Sequence, residues 1–84
     1  MDAVDGYVWG PLYPDIYIDG DWAGNGYASR QVVEGWHSVW VDDPVWDDYF
    51  GTYAYLYSFT DGYGNGDYRP VYEDTYITAV YLAW

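Results

Sequence analysis

Apolar and polar positions alternate with a period of two along most of this chain. Such patterns, rich in β-branched and aromatic residues, predict strands. Asp15-Ile-Tyr-Ile-Asp19 is a short example that stops at Gly20. Ala28 to Glu34 and Trp36 to Val41 predict two more, separated by Gly35. From Thr52 to Phe59, Tyr53, Tyr55, Tyr57 and Phe59 fall on one face and Ala54, Leu56 and Ser58 on the other. Thr75 to Trp84 carries no charge; Tyr76, Thr78, Val80, Leu82 and Trp84 oppose Thr75, Ile77, Ala79, Tyr81 and Ala83. Both faces of that segment are apolar enough to be covered, as in the centre of a sandwich or at a subunit interface.

One segment departs from the period of two. Asp43-Pro44 offers an N-cap followed by a proline at the first helical position. Asp47 and Asp48 would then sit in the first turn, Trp46, Tyr49 and Phe50 would share a helical face, and Gly51 would end it. A single α or 3₁₀ turn is expected near residues 44–50.

Turn signals divide the rest. Gly24-Asn25-Gly26 and Gly64-Asn65-Gly66 each lie between two aromatic-aliphatic runs, and Asn-Gly supplies the two positive φ values of a type I′ hairpin turn. Trp36 to Val41 matches Ile77 to Leu82 in apolar pattern, with Val39 over Val80. The expectation is an all-β fold: a small antiparallel sandwich or barrel forming a single domain over residues 1–84. Its two related halves would cover residues 1–43 and 44–84. The spacings Tyr13 to Gly20 and Tyr55 to Gly62 resemble the aromatic-to-glycine spacing of the βγ-crystallins, and Asp74-Thr-Tyr-Ile-Thr-Ala-Val80 resembles the end of their repeat. That resemblance implies a pair of Greek keys. The chain between these marks is several residues too short, however, and the family's paired acid-and-hydroxyl calcium signature is absent. The chain is therefore not assigned to that family.

Composition changes the picture at the surface. Eighty-four residues contain six Trp, thirteen Tyr and two Phe, each able to bury roughly 150–250 Å². One small domain cannot enclose them all, so many must lie on the surface or in an interface. There is no cysteine, so disulfides and thiolate metal sites are excluded.

Fourteen acids, twelve of them Asp, face Arg30 and Arg69, and the net charge is −12. Such a chain repels itself and is expected to be steadier in high salt or at low pH. Lysine-free, Asp-heavy surfaces resemble those of halophilic proteins and their viruses in composition. The charge argues against direct nucleic-acid binding, which draws its affinity from Lys and Arg on phosphates, and against anionic membranes. No apolar run reaches membrane-spanning length. Met1-Asp-Ala-Val-Asp5 lacks the pattern of a signal peptide. A virion or extracellular setting is the favoured expectation.

Candidate chemistry is sparse. His37 is the only histidine, and no nucleophile motif surrounds any serine, so no catalytic residues are assigned and an enzyme is the least favoured class. Asp42-Asp43 and Asp47-Asp48 read as solvated or capping acids. No cofactor is expected. Ca²⁺ is the one candidate ion, held by a non-EF arrangement of Asp19, Asp21, Asp61, Asn65 and Asp67. Trp22, Trp40, Trp46 and Tyr49 are candidates for stacking on sugar rings. Tyr53, Tyr55, Tyr57, Phe59, Tyr76, Val80, Tyr81, Leu82 and Trp84 are candidates for a protein interface, where Trp and Tyr are enriched.

The leading expectation is a structural or assembly module whose partner is protein: a homo-oligomer or larger assembly. A carbohydrate- or Ca²⁺-binding module is the alternative. An acidic nucleic-acid mimic, or a designed chain without a biological role, comes third.

Overall fold

The computed structural model describes residues 1–62 and 68–83. Eight strands run in order: β1 Asp2–Asp5, β2 Asp15–Ile18, β3 Asp21–Asn25, β4 Gly35–Val41, β5 Val45–Asp47, β6 Thr52–Phe59, β7 Tyr68–Val71 and β8 Thr78–Ala83. They form two four-stranded sheets. Sheet A has the order β1-β8-β6-β5 and sheet B the order β3-β2-β4-β7. The fold is all-β. Every pairing is antiparallel except that of β1 with β8, which places Asp2 beside Thr78 and Asp5 beside Tyr81. The segments before and after residue 43 interleave: each sheet takes three strands from one side of that point and one from the other.

The inward faces explain this arrangement. The interior consists of Ala3, Leu12, Ile16, Ala28, Val39, Val41, Ala54, Phe59, Ile77, Ala79 and Tyr81. Four of these eleven are alanine, so the sheets meet over a thin apolar layer, as expected of so short a chain. Polar ties between the sheets supplement it. The Tyr81 hydroxyl, from β8, donates to the Asp42 carbonyl at the end of β4. Arg69 on β7 is fully buried, its guanidinium 4.2 Å from the centre of the Phe59 ring on β6 and 2.7 Å from the Asp61 carboxylate.

Four local expectations are corrected. Residues 44–50 contain no helical turn: Val45–Asp47 is an edge strand paired with β6, followed by a turn closed by the Gly51 N–H on the Asp47 carbonyl. Pro44 lies in the β4–β5 corner, joined to Asp43 by a cis peptide bond, and opens no helix. Ala28 to Glu34 forms no strand. It is an irregular strap held by the Ala28 N–H on the Met1 carbonyl and by the Val33 carbonyl on His37.

The other two corrections concern turn and register. The tight β2–β3 hairpin is made by Asp19-Gly20, with φ of 53° and 82°, as a type I′ turn requires. Gly24-Asn25-Gly26 instead ends β3. There the Asn25 amide donates to the Tyr13 carbonyl and Asp15, and the Gly26 N–H to the Pro14 carbonyl. Its counterpart at Gly64 lies outside the described residues. Finally, a bulge in β6 between Leu56 and Ser58 breaks the alternation. One extra residue reverses the facing of everything beyond it. Phe59 therefore turns inward while Tyr53, Tyr55 and Tyr57 stay outside.

Candidate functional site: two aromatic faces and three polar clusters

Because the interior takes few large side chains, the aromatics line the outer faces of both sheets. On sheet A, Trp46 pairs with Tyr53 across β5–β6 and their rings meet edge to face at 5.3 Å. Tyr55 pairs with Leu82 across β6–β8. Trp46, Tyr53, Tyr55 and Tyr57 are all exposed, with Val80 and Leu82 half-buried beside them. Among the described residues, no charged side chain alternates into this outer row of β5, β6 and β8. The acids stand at its rims: Asp48 accepts the Trp46 indole N–H at 2.6 Å, and Asp2 accepts the Thr78 hydroxyl at 2.7 Å.

On sheet B, Tyr17 of β2 lies in register with Trp22 on one side and Trp40 on the other. The Tyr17 and Trp40 rings meet at 5.3 Å, and a shallow groove runs over Tyr17, Gly20 and Trp40. The Trp22 indole donates to Asp15 at 3.1 Å, which fixes the ring beside a carboxylate. Trp36 and Tyr68 extend the same face onto β7.

The predicted sugar-stacking set is thereby divided. Trp22 and Trp40 come together across Tyr17. Trp46 belongs to the other sheet, and Tyr49 sits in the turn after β5, against Phe50 at 4.8 Å. The predicted interface set divides as well. Tyr81 and Phe59 are core residues and are not available to a partner. Tyr76 is exposed but precedes β8. Trp84 lies outside the described residues.

The described candidate cation ligands, Asp19, Asp21 and Asp61, do not come together as a metal site. Among the described residues no group of three His, Asp or Glu side chains is placed to hold a metal. Asp19 is engaged by His37, Asp61 by Arg69, and the mostly exposed Asp21 lies 3.9 Å from Arg30. Asn65 and Asp67 lie outside the described residues.

Two of the polar clusters are ion pairs. His37 is held at both ring nitrogens, Nδ1 by Asp19 at 2.6 Å and Nε2 by the Val33 carbonyl at 2.5 Å. Two acceptors call for two N–H donors, which only the imidazolium provides. The Asp19 bond and then the Val33 carbonyl raise the histidine's pKa, and the same bond to His37 lowers that of Asp19. His37 anchors the 28–34 strap and lines, with it, an open cleft of about 490 Å³ that residues 71–77 also border. The second cluster is the Arg69–Asp61 bridge described above.

The third cluster was not foreseen. Asp5 and Asp47 are both buried at the start of matching corner turns. Asp5 Oδ1 accepts the Tyr7 N–H at 2.8 Å, and its carbonyl accepts the Trp9 N–H at 2.7 Å. Asp47 Oδ1 accepts the Tyr49 N–H at 3.0 Å, and its carbonyl accepts the Gly51 N–H at 2.9 Å. Each turn ends on a positive φ, 56° at Trp9 and 64° at Gly51. Tyr7 meets Phe50 at 5.9 Å and closes the two corners over the acids. The signal was present as Asp-x-Tyr at positions 5 and 47, with Asp-Gly at 19 and 61 keeping the same offset. The Gly-Asn-Gly triplets keep a different offset.

Comparison with protein-family models, with curated proteins and with solved structures finds no match.

Proposed function

We propose that this chain is a non-enzymatic assembly module that self-associates through the outer face of sheet A. The observation that carries this reading is the uncharged row Trp46, Tyr53, Tyr55, Tyr57 and Leu82 on a chain of net charge −12. Two such chains repel at almost any other approach. At this face rings meet rings, and the opposing carboxylates stay at the rims. Screening shortens the reach of the remaining repulsion from about 8 Å at physiological salt to about 3 Å at 1 M, so association strengthens with salt. The test is molar mass by light scattering across NaCl concentration, for the wild type and for Tyr55→Asp. Mass that rises with salt in the wild type and stays monomeric in the variant supports the reading. A wild type that is monomeric at every salt concentration and pH overturns it.

One observation favours a second reading. The Trp22–Tyr17–Trp40 row, with Asp15 beside it, offers stacking planes next to a hydroxyl acceptor, the chemistry of a saccharide subsite. Quenching of Trp fluorescence by soluble oligosaccharides, lost in Trp40→Ala with its fold intact, would support it. No response across a glycan panel removes it.

A further inference from the structure

We propose that Asp5 and Asp47 hold one proton between them, and that this shared proton clasps the two corner turns together at one end of the sandwich. The geometry carries the argument. Both side chains are almost wholly enclosed, with 1% and 2% of their surface exposed. Each spends Oδ1 on the backbone N–H two residues ahead. Each keeps Oδ2 buried, with no N–H or hydroxyl of the described residues donating to it. The two corners meet at Tyr7 and Phe50, and the Asp5 carboxyl is near enough to act on that of Asp47. Two ionised carboxyls could only accept, so neither Oδ2 would satisfy the other. A single proton placed between them gives both a partner.

Nothing else nearby supplies positive charge. The chain has four basic groups, and each is engaged elsewhere. Arg30 donates to the Ile18 and Trp22 carbonyls, Arg69 bridges to Asp61, His37 is held by Asp19, and the terminal amine donates to the Ala28 carbonyl. The neighbours of the pair are neutral or acidic. Tyr81 stands beside Asp5 in the sheet, with Leu56 beyond it on the next strand, and Thr52 stands beside Asp47. Tyr7, Tyr49 and Phe50 come from the two turns, and Asp48 is turned to Trp46. Tyr81, whose hydroxyl is committed to the Asp42 carbonyl, is held protonated by burial and then by Asp43 and Asp42.

Burial, and then the Asp5 carboxyl, push the Asp47 pKa upward. The folded form therefore binds a proton that the unfolded chain releases near the ordinary aspartate pKa of about 3.9. The clasp is complete below that value. It weakens as pH rises toward the raised value, and above it two buried negative charges oppose each other.

The test is Asp47→Asn, which replaces the shared proton by a permanent amide donor to Asp5. At neutral pH the variant's Tm is expected to rise by about 5 °C, the scale of one improved buried contact in a domain this size. The fall of Tm between acid and neutral pH seen in the wild type, relative to the variant, disappears. Carbon-13 NMR of the wild-type aspartate carboxyls provides a second reading that needs no variant to fold: the Asp47 resonance titrates above the ordinary aspartate range. Two carboxyls titrating in the ordinary range, or a variant less stable at every pH, overturns the proposal. So does a rise in wild-type Tm with CaCl₂ at neutral pH that is absent in the variant, since a cation would then occupy the place given to the proton.

Discussion

Removing the cation from the buried Arg69–Asp61 bridge should nearly unfold the protein. The two groups are 2.7 Å apart, with only 1% and 10% of their side chains exposed, and the guanidinium also stacks on Phe59. Arg69→Met keeps most of the volume but leaves the Asp61 carboxylate enclosed without its guanidinium. Breaking a buried pair from one side costs about 3–5 kcal/mol. A domain of this length has a total stability of roughly 4–13 kcal/mol, and each kcal/mol moves Tm by about 6 °C. Arg69→Met should therefore lower Tm by roughly 18–30 °C at neutral pH, measured by far-ultraviolet circular dichroism with a urea titration in parallel. Replacing both partners, Arg69→Met with Asp61→Leu, removes the stranded charge and should recover most of the loss. The reasoning fails if Arg69→Met costs under about 1 kcal/mol, the worth of an exposed pair. It also fails if the double variant is no better than the single one.

Three further outcomes follow from the same geometry. Tyr81→Phe deletes the hydroxyl that ties β8 to Asp42 and should cost about 1–2 kcal/mol in urea unfolding, with oligomeric state unchanged because the ring is core. His37→Gln should flatten one limb of the stability–pH curve. The imidazolium's contribution is complete below about 6.5 and is lost as pH rises through its raised folded value, while Asp19's is lost only in acid, as pH falls through its lowered one. Trp9→Gly should raise stability by up to about 1 kcal/mol, because Trp9 stands at a φ of 56° that glycine adopts freely. Gly51→Ala at the twin corner should lower it by a similar amount, both read by differential scanning calorimetry.

The strands whose residues alternate in sequence were legible: β2, β6 and β8 fall within predicted segments, and β4 exceeds its own only by Gly35. What escaped prediction depends on contacts distant in sequence. Val45-Trp-Asp47 has too few residues to show a period, and pairing with β6, not local preference, makes it a strand. The inward turn of Phe59 follows from a bulge that no residue type announces. Ala28 to Glu34 has strand composition, but its register partners are a terminus and a histidine ring, so it runs as a strap. The aromatic faces were half legible. A surplus of rings predicted exposure, yet only sheet order showed that Trp22 and Trp40 flank Tyr17 while Trp46 lies on the opposite side. Asp47, read as a solvated or capping acid, does cap the turn after it but is buried; a carboxylate next to a turn ordinarily faces water, and nothing local to Asp5 marked it either.

The parallel pairing of β1 with β8 also constrains the order in which the molecule can form. Asp2 to Asp5 are made more than seventy residues before the strand they lie against. Until that strand exists, the ladder neighbours of β1 among the described residues are Pro11 and Tyr27, and the acid at its end has no Asp47 to meet before that residue is made. Sheet B can assemble its first three strands, β2, β3 and β4, from contiguous chain, whereas sheet A must wait for its centre. Pairings this distant in sequence place folding on the millisecond-to-second scale. During that interval the Tyr-rich β6 would stand as an unprotected edge. The net charge of −12 opposes the approach of a second chain to such an edge.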